Sequence, residues 1–313
     1  MELQRLPEFW NFVAERQKVW RRRVTGEEPP WTENQILRNY RFTNVYRELD
    51  PGTQYAIQQI MAHDEPAKDR AFNVMIYRLI GRSETHEALG FQRPAEFDRA
   101  EFEKKLKQRR EEGPVFTGAY LVSGYSGYES SDKVENVSKI FEEVAEGFDR
   151  TWDRIENAGR LKDVYEIIRE RPGFGNFLSY QVTVDLLYEN GNGSILPFNQ
   201  NDWAKPGPGA KKGLELLADS PGKKERLEIM RWLTRNQQCQ FDSHGIEFDY
   251  VKDGDGLRKT LSLADIQNCL CEFYKYHKIK NDKGRARRKF RLENAEPSTD
   301  LRALYRDAPD ITL

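Results

Sequence analysis

Apolar residues recur at helical spacing along most of this chain, and the pattern predicts a mainly helical fold with minor short strands. In residues 7–24, Phe9, Val13 and Trp20 fall on one side, as in an amphipathic helix. The same periodicity predicts further helices after Asp50, before Gly81, over 94–112, twice between 132 and 171, after Gly175, and over 213–219, 222–238 and 262–277. The stretch 245–256 predicts a short strand and a turn.

The amino-acid composition of the chain changes once, near residue 278. No internal repeat and no linker precedes that point, so the sequence predicts a single helical domain over 1–277. Residues 278–313 begin with many lysines and arginines and contain few apolar residues, which predicts a basic arm. The arm either orders on nucleic acid, with DNA contacts through 278–291, or is a loose terminus.

Composition adds a charge argument to this picture. Charged residues make up 32% of the chain, yet the formal net charge is −1, so no global field favours a polyanion. Positive charge is instead clustered, and local basic patches matter more to nucleic acid than the net sum. The alternative is that these runs are solvated helix faces. The clusters are 21–23, 104–110, 211–212, 223–224 and 278–291.

Cysteine content and hydropathy exclude several classes of protein. Three cysteines cannot form a disulfide framework, which favours a reducing, cytoplasmic environment. Cys269, Cys271 and His277 match the spacing of no standard zinc finger, so we predict neither a metal nor another cofactor. The N-terminus lacks a signal-peptide layout, and no apolar run reaches the roughly 20 residues of a membrane span.

Two glycine turns frame residues 171–213. Glycine lets the main chain approach a ligand closely, and a helix that begins there directs free N–H groups at an anion such as a DNA phosphate. Asp202 is an acid beside this glycine-rich, basic stretch. We predict DNA-backbone contacts from Gly173, Gly175, Asn176, Lys205, Gly207, Gly209, Lys211 and Lys212.

Arginines and aromatic residues interleave in residues 31–55. Guanidinium and aromatic groups contact phosphates and stack on exposed bases, and the amide of Asn44 can donate to and accept from a base edge. Arg41, Asn44 and Arg47 are therefore candidates for contacting a base. The alternative is a core helix whose arginines pair with Glu33, Glu48 and Asp50.

The first glycine turn resembles the hairpin of the helix–hairpin–helix DNA glycosylase superfamily. In that superfamily a Pro-Gly-x-Gly hairpin binds the DNA backbone through main-chain amides, and a downstream aspartate performs the chemistry. The resemblance would make residues 173–175 the hairpin and Asp202 the catalytic aspartate, although their separation is longer than usual for that superfamily.

A closer resemblance rests on four ordered blocks: RFTNVYRELD (41–50), VFTGAY (115–120), GFGNFLSYQVTVDL (173–186) and NDWAKPGPGAKKG (201–213). Together they resemble the alpha-glutamyl/putrescinyl thymine pyrophosphorylase family, also described as the helical domain associated with 5-hydroxymethyluracil DNA kinases. That family is regarded as glycosylase-like in fold and is tied to hypermodified pyrimidines, chiefly in phage DNA. The resemblance implies DNA with modified pyrimidines as the partner.

The first hypothesis from this resemblance is base excision, in anti-phage defence. The modified base flips out of the stack, and a carboxylate stabilises the cation-like sugar while the C1′–N bond breaks. Asp202 would be that carboxylate, and no lysine follows the hairpin, which predicts a monofunctional enzyme that leaves an abasic site. The base would be bound by Arg41, Asn44, Arg47, Gln181 and Asn201.

Two alternatives stay open. The first is a transferase that replaces the phosphorylated 5-hydroxymethyl group of uracil with an amino acid or polyamine, with the amine held by Asp185 or Glu189. The second is a non-catalytic reader of modified DNA. The 313 residues contain no Gly-x-x-x-x-Gly-Lys-Ser/Thr loop and no zinc-deaminase motif, which excludes both of those enzyme classes by motif.

Overall fold

Helices form most of the structure, as the sequence predicts. The computed structural model describes residues 2–118, 130–189, 193–253, 256–281 and 289–290. Two short strands, β1 (Val251–Lys252) and β2 (Arg258–Lys259), pair antiparallel. The α-helices, in chain order, are α1 (Leu6–Val24), α2 (Gln35–Asn39), α3 (Pro51–Tyr55), α4 (Ala67–Ile80), α5 (Ser83–Leu89), α6 (Arg99–Glu112), α7 (Lys133–Glu146), α8 (Phe148–Glu156), α9 (Leu161–Arg169), α10 (Asn176–Asp185), α11 (Pro208–Leu217), α12 (Lys223–Ser243) and α13 (Leu263–Lys280).

The helices divide between two compact units. The first unit combines the two ends of the chain, Met1–Gln54 and Trp203–Leu313, and the second unit is the intervening Tyr55–Asp202. The division into one domain over 1–277 and an arm over 278–313 stays a prediction. Within the described residues no helix is long and apolar enough to cross a membrane.

Helix α13 organises the first unit, where it packs against α1, α2, α11 and α12. It begins with a capping box: Ser262 Oγ accepts from the Asp265 N–H, and Asp265 Oδ2 accepts from the Ser262 N–H. These bonds satisfy two backbone donors at the helix start. Phe273 of α13 meets Phe9 of α1 edge to face, with 5.4 Å between the ring centroids.

Helices α11 and α13 approach closely because two glycines of α11 face α13. A Cβ built at Gly213 would lie 2.1 Å from the Leu270 carbonyl oxygen, and one at Gly209 would lie 2.2 Å from Cys271 Sγ. Neither position has room for a larger side chain without a shift of its neighbour. Gly209 thus has a packing role, and its predicted contact with the DNA backbone stays a prediction.

The start of the predicted basic arm belongs to the helical structure. Helix α13 continues to Lys280, beyond the predicted end at His277. Lys289 forms an isolated antiparallel bridge with Tyr40, and the Phe290 N–H donates to the Asn39 carbonyl at 2.9 Å. Residues 282–288 and 291–313 of the arm lie outside the described residues, so its contact with DNA stays a prediction.

Helix α4 forms the centre of the second unit. It packs against α5, α8, α10 and the π-helical segment Ala56–Met61. The buried ring of Phe72 meets Phe148, Phe97 and Phe141 edge to face, at centroid distances of 5.0, 5.9 and 6.0 Å. This aromatic core holds the helices from which the glycine turn projects.

Candidate functional site

The first glycine turn joins α9 and α10, which pack against each other in the second unit. Gly173 adopts a φ of +82°, a left-handed conformation that favours glycine. A Cβ there would also lie 3.1 Å from both Leu79 Cδ1 and Ile140 Cγ2. Gly173 and Phe174 are buried and fix the shape of the turn. The predicted main-chain contacts with DNA are therefore possible only at the exposed end of the turn.

That exposed end is the N-terminus of α10. Gly175 is the N-cap residue, and since it has no side chain, it provides no acceptor for the first N–H groups of the helix. Gly175, Asn176 and Phe177 are all exposed. The N–H groups of a first helical turn have no acceptor inside the helix, and the helix dipole adds partial positive charge there. Tyr165 of α9 donates to Asn176 Oδ1 at 2.7 Å and orients that side chain. The geometry suits an anion such as a phosphate.

Phe177 gives the same surface an apolar component. Phe177 is 52% exposed, whereas large aromatic side chains are usually buried in the interior. Gln181 lies one turn further along α10 and is half-buried. An exposed aromatic ring beside a helix start of this kind can pack on a sugar or stack on an unpaired base.

Asp202 closes a tight turn at the end of the second unit. Its Oδ2 accepts from the Asn199 N–H at 2.9 Å, and its own N–H donates to the Asn199 carbonyl at 3.0 Å. Asn201 donates its N–H to Asn199 Oδ1 at 2.8 Å, and both Asn201 and Asp202 are exposed. The carboxylate is accessible to a ligand, and it also stabilises the turn.

The second glycine turn leads into α11 in the first unit. Gly207 is the N-cap residue and Pro208 occupies the first helical position, where a missing N–H costs nothing. Lys211 and Lys212 are exposed, Lys205 is half-buried, and Lys212 Nζ pairs with Glu215 Oε2 at 2.8 Å. Exposed lysines beside a helix start fit the predicted phosphate contacts.

The segment 41–50 differs from both interpretations of its sequence. It is not one continuous helix, because α2 ends at Asn39 and the next turn of helix is Arg47–Leu49. Asn44 is buried, with Oδ1 accepting from Arg16 Nη2 and Nδ2 donating to the Leu49 carbonyl, both at 2.6 Å. Arg47 is buried as well, whereas Arg41 is exposed.

These contacts correct part of the predicted base-binding set. Asn44 has both ends of its amide engaged within the protein, and Arg47 lies beneath the surface. A base could reach either group only if buried hydrogen bonds were broken, which costs about 1–3 kcal/mol for each buried group left unsatisfied. We therefore assign both residues to holding the segment, and retain Arg41, Gln181 and Asn201 as accessible candidates.

A buried ion pair occupies one of the two carboxylates that the transferase hypothesis offers for binding the amine. The Asp185 side chain is fully buried and pairs with Arg78 of α4 through two bonds, Nε to Oδ2 and Nη2 to Oδ1, the latter at 2.9 Å. A substrate amine would have to displace the guanidinium to use Asp185. Glu189 is exposed.

Comparison with known proteins gives this helical framework a family. The sequence model described as "5-hmdU DNA kinase, helical domain" matches residues 4–286. The chain belongs to this family. A 5-hmdU DNA kinase from Bacillus phage SP10 is 32% identical over 284 residues, which cover 86% of this chain and 44% of that protein. No solved structure matches.

The family match covers every accessible candidate residue described above. It includes segment 41–50, the α9–α10 turn and the second glycine turn. It therefore confirms the resemblance to the 5-hydroxymethyluracil DNA kinase helical domain. Membership of the helix–hairpin–helix glycosylase superfamily stays a prediction. The chain spans less than half the length of the phage relative.

A buried histidine in the second unit of this family member makes stability depend on pH. His86 Nδ1 lies 3.0 Å from the Tyr55 hydroxyl, and burial, with a smaller contribution from His63, lowers its pKa from 6.5 to about 4. The unfolded chain therefore binds a proton between pH 6.5 and 4 that the folded chain does not bind. The free energy of unfolding should fall by up to about 3 kcal/mol across that window.

His86→Gln tests this prediction, because glutamine cannot titrate. Urea unfolding of both proteins between pH 7.5 and 4.5 would give the difference in unfolding free energy at each pH. We expect the wild type to lose stability relative to the variant as the pH falls. A difference that does not change with pH would contradict the assignment to His86.

Sequence reasoning missed two residues that the structure draws attention to. No sequence pattern singles out Phe177, because its exposure depends on how α10 packs. The sequence offers Asp50 only as the residue before a predicted helix and as a possible partner of the arginines in 31–55. Its side chain instead accepts from the Asn44 N–H at 2.9 Å, a contact that no local pattern indicates.

Proposed function

We propose that this chain binds DNA that carries modified pyrimidines and excises the modified base, leaving an abasic site. The observation that carries the proposal is the exposed N-terminus of α10, with Gly175, Asn176 and Phe177, in a member of a family named for 5-hydroxymethyluracil DNA. Phosphate contacts give such a protein its affinity, and a base taken out of the stack gives it access to the reacting bond.

Excision is proposed in preference to phosphoryl or amine transfer. The phage relative is named a kinase, but the 313 residues of this chain contain no Gly-x-x-x-x-Gly-Lys-Ser/Thr loop to hold a nucleotide triphosphate. Of the two carboxylates offered for an amine site, Asp185 is already paired with Arg78, and only Glu189 is exposed. Excision needs neither a nucleotide nor an amine, since water is the second reactant.

The reaction consists of one substitution at the sugar. The bond from C1′ to the base nitrogen breaks, water adds to C1′, and the proton lost by water ends on the departing base. A carboxylate assists by stabilising the cation-like sugar or by accepting the proton. Asp202 is the residue that the sequence nominates for this step. Because no lysine follows the hairpin, the strand should remain uncut.

Purified protein incubated with phage DNA would test the function directly. The substrates would be DNA with glucosylated 5-hydroxymethylcytosine, DNA with hypermodified thymine, and unmodified DNA, without added cofactor or amine. We expect released modified base and alkali-labile sites on a modified DNA only. Asp202→Asn in parallel tests the nominated carboxylate. Modified DNA that keeps all its bases would overturn the excision proposal. It would also overturn the suggested role in anti-phage defence, because that role depends on excision.

The exposed aromatic ring of α10 gives a binding prediction. Phe177→Ala should weaken binding to DNA with an unpaired or modified base by about tenfold to a hundredfold, because base–aromatic stacking contributes about 1–3 kcal/mol. Fluorescence anisotropy with labelled DNA at fixed salt measures the effect. Leu257→Ala is the matched control, because Leu257 is a 66% exposed apolar residue outside the proposed surface. Equal affinities for Phe177→Ala and wild type would remove Phe177 from the interface.

A further inference from the structure

Asp50 is a fixed carboxylate in the first unit. It follows the Arg47–Leu49 turn, and its backbone carbonyl accepts from the Thr53 and Gln54 N–H groups at 2.8 and 3.0 Å as α3 begins. Its side chain is not used to cap that helix. Oδ1 instead accepts from the Asn44 N–H at 2.9 Å. One oxygen of the carboxylate is therefore held in place by the main chain.

The other oxygen of Asp50 retains some exposed surface. In the described part of the chain Oδ2 makes no hydrogen bond, and it is not among the buried side-chain atoms that lack a partner. The residue as a whole is half-buried. Oδ2 thus keeps contact with solvent and can meet a ligand, while Oδ1 sets the direction of the group.

The donor that holds Asp50 is itself immobilised. Asn44 Oδ1 accepts from Arg16 of α1, its Nδ2 donates to the Leu49 carbonyl, and its own carbonyl accepts from Asn268 Nδ2 of α13 at 2.8 Å. Buried hydrogen bonds from separate elements converge on one short turn. Such supporting contacts hold a reactive group in a defined geometry.

Charged groups from three elements act on Asp50. The loss of water around the carboxylate raises its pKa from 3.8 to about 6; the Asn44 N–H, Arg16 and Arg47 oppose that rise, and Glu272 of α13 adds to it. The residue as a whole is half-buried, but protein atoms surround its carboxyl group closely enough to raise the pKa. A carboxyl group that titrates near neutral pH can take up and return a proton efficiently.

We propose that Asp50 is the catalytic carboxylate that transfers a proton during the chemistry on the modified base. The inference rests on the proposed function and assigns the step to Asp50 in place of Asp202, which then serves the 199–202 turn. In excision, ionised Asp50 takes a proton from water as the C1′–O bond forms and the C1′–N bond breaks. The protonated carboxyl then returns that proton to the departing base, so atoms and charge balance.

Asp50→Asn is the decisive variant, because the asparagine oxygen can still accept from the Asn44 N–H. We expect the rate of base loss, followed by mass spectrometry of digested nucleosides, to fall by about a hundredfold or more, which is the usual contribution of acid–base catalysis. DNA affinity should stay within about twofold of wild type, since Oδ2 meets water and not phosphate.

The pH profile supplies a readout that a structural role would not change. The wild-type rate should fall as the pH drops below about 6, where Asp50 becomes protonated. Glu272→Gln removes a negative charge that raises the pKa of Asp50, so this acidic limb should move to lower pH while the maximum rate is kept. The glutamine oxygen can still accept from the Thr43 N–H, as Glu272 Oε2 does at 3.1 Å.

The outcomes separate this inference from the proposed function. Base release by Asp50→Asn at the wild-type rate would overturn the assignment and leave excision standing. If the wild type alters the modified nucleoside without an abasic site, excision fails, and the Asp50→Asn rate in that other reaction decides the assignment. If the wild type alters no nucleoside in any DNA, both proposals fail. An acidic limb that Glu272→Gln leaves unmoved would also count against Asp50.

Discussion

Replacing Asp185 with alanine should lower the free energy of unfolding by about 3–5 kcal/mol. The Asp185 side chain is fully buried and the Arg78 side chain is only 16% exposed, so the variant leaves a guanidinium with little water and without its carboxylate. A buried charge that loses its partner still carries the free-energy cost of desolvation, but the attraction of the opposite charge no longer offsets that cost. Urea unfolding of the full chain, followed by circular dichroism, measures the loss.

The same unit provides a matched control for this prediction. Arg154 and Glu170 form a second two-bond ion pair, at 2.5 and 2.9 Å, but their side chains are 44% and 46% exposed. Glu170→Ala should therefore cost only about 0–1 kcal/mol, because water replaces the lost partner.

A double substitution of the buried pair, Arg78→Met with Asp185→Leu, should recover most of the stability, since no unpaired charge remains. Equal losses from Asp185→Ala and Glu170→Ala would show that burial does not determine the cost. A double variant as unstable as Asp185→Ala would show that the unpaired charge is not its cause.

Gly213→Ala should destabilise the first unit by about 3 kcal/mol or more, even though alanine favours helix. The added Cβ would lie 2.1 Å from the Leu270 carbonyl oxygen, which belongs to the backbone of α13 and cannot rotate away. The intrinsic helix preference of alanine over glycine returns only about 1 kcal/mol. The steric effect should therefore dominate, and thermal unfolding would reveal it.

Gly209→Ala tests whether the contacting atom decides the cost. Its Cβ would meet Cys271 Sγ at 2.2 Å, but a thiol can change rotamer, so we expect a smaller loss. Cys271→Ala should rescue it in part. Gly159→Ala is the control, because nothing lies within 4 Å of a Cβ built there, and its effect should stay within about 0.5 kcal/mol. Similar losses at 159 and 213 would contradict the close approach of α11 and α13.

The sequence predicted those features that depend on residues close together along the chain. Helix α1 lies where the spacing of Phe9, Val13 and Trp20 indicates, and α13 begins next to Ser262, where the predicted helix begins. Gly173 has the left-handed backbone that a glycine turn suggests. These features are determined by contacts within a few positions along the chain, so periodicity and turn chemistry are sufficient to indicate them.

Side-chain access could not be predicted in the same way. Asn44 looked like a base-reading amide, yet Arg16, 28 positions away, and Asn268, 224 positions away, bond it into the interior. Gly209 looked like a phosphate-binding glycine, yet Cys271 of another helix requires its small size. In each case the deciding partner is distant in sequence, and residue type alone does not indicate it.

The sequence by itself determined a mainly helical chain, the position of its glycine turns and the family resemblance that its ordered motifs carry. Only the tertiary structure decided which polar groups remain accessible, because desolvation depends on every element packed around a group. Folding buries Asn44 and Arg47, pairs Asp185 with Arg78, and leaves Phe177 exposed. It also fixes the Asp50 carboxylate through a hydrogen bond from the Asn44 N–H.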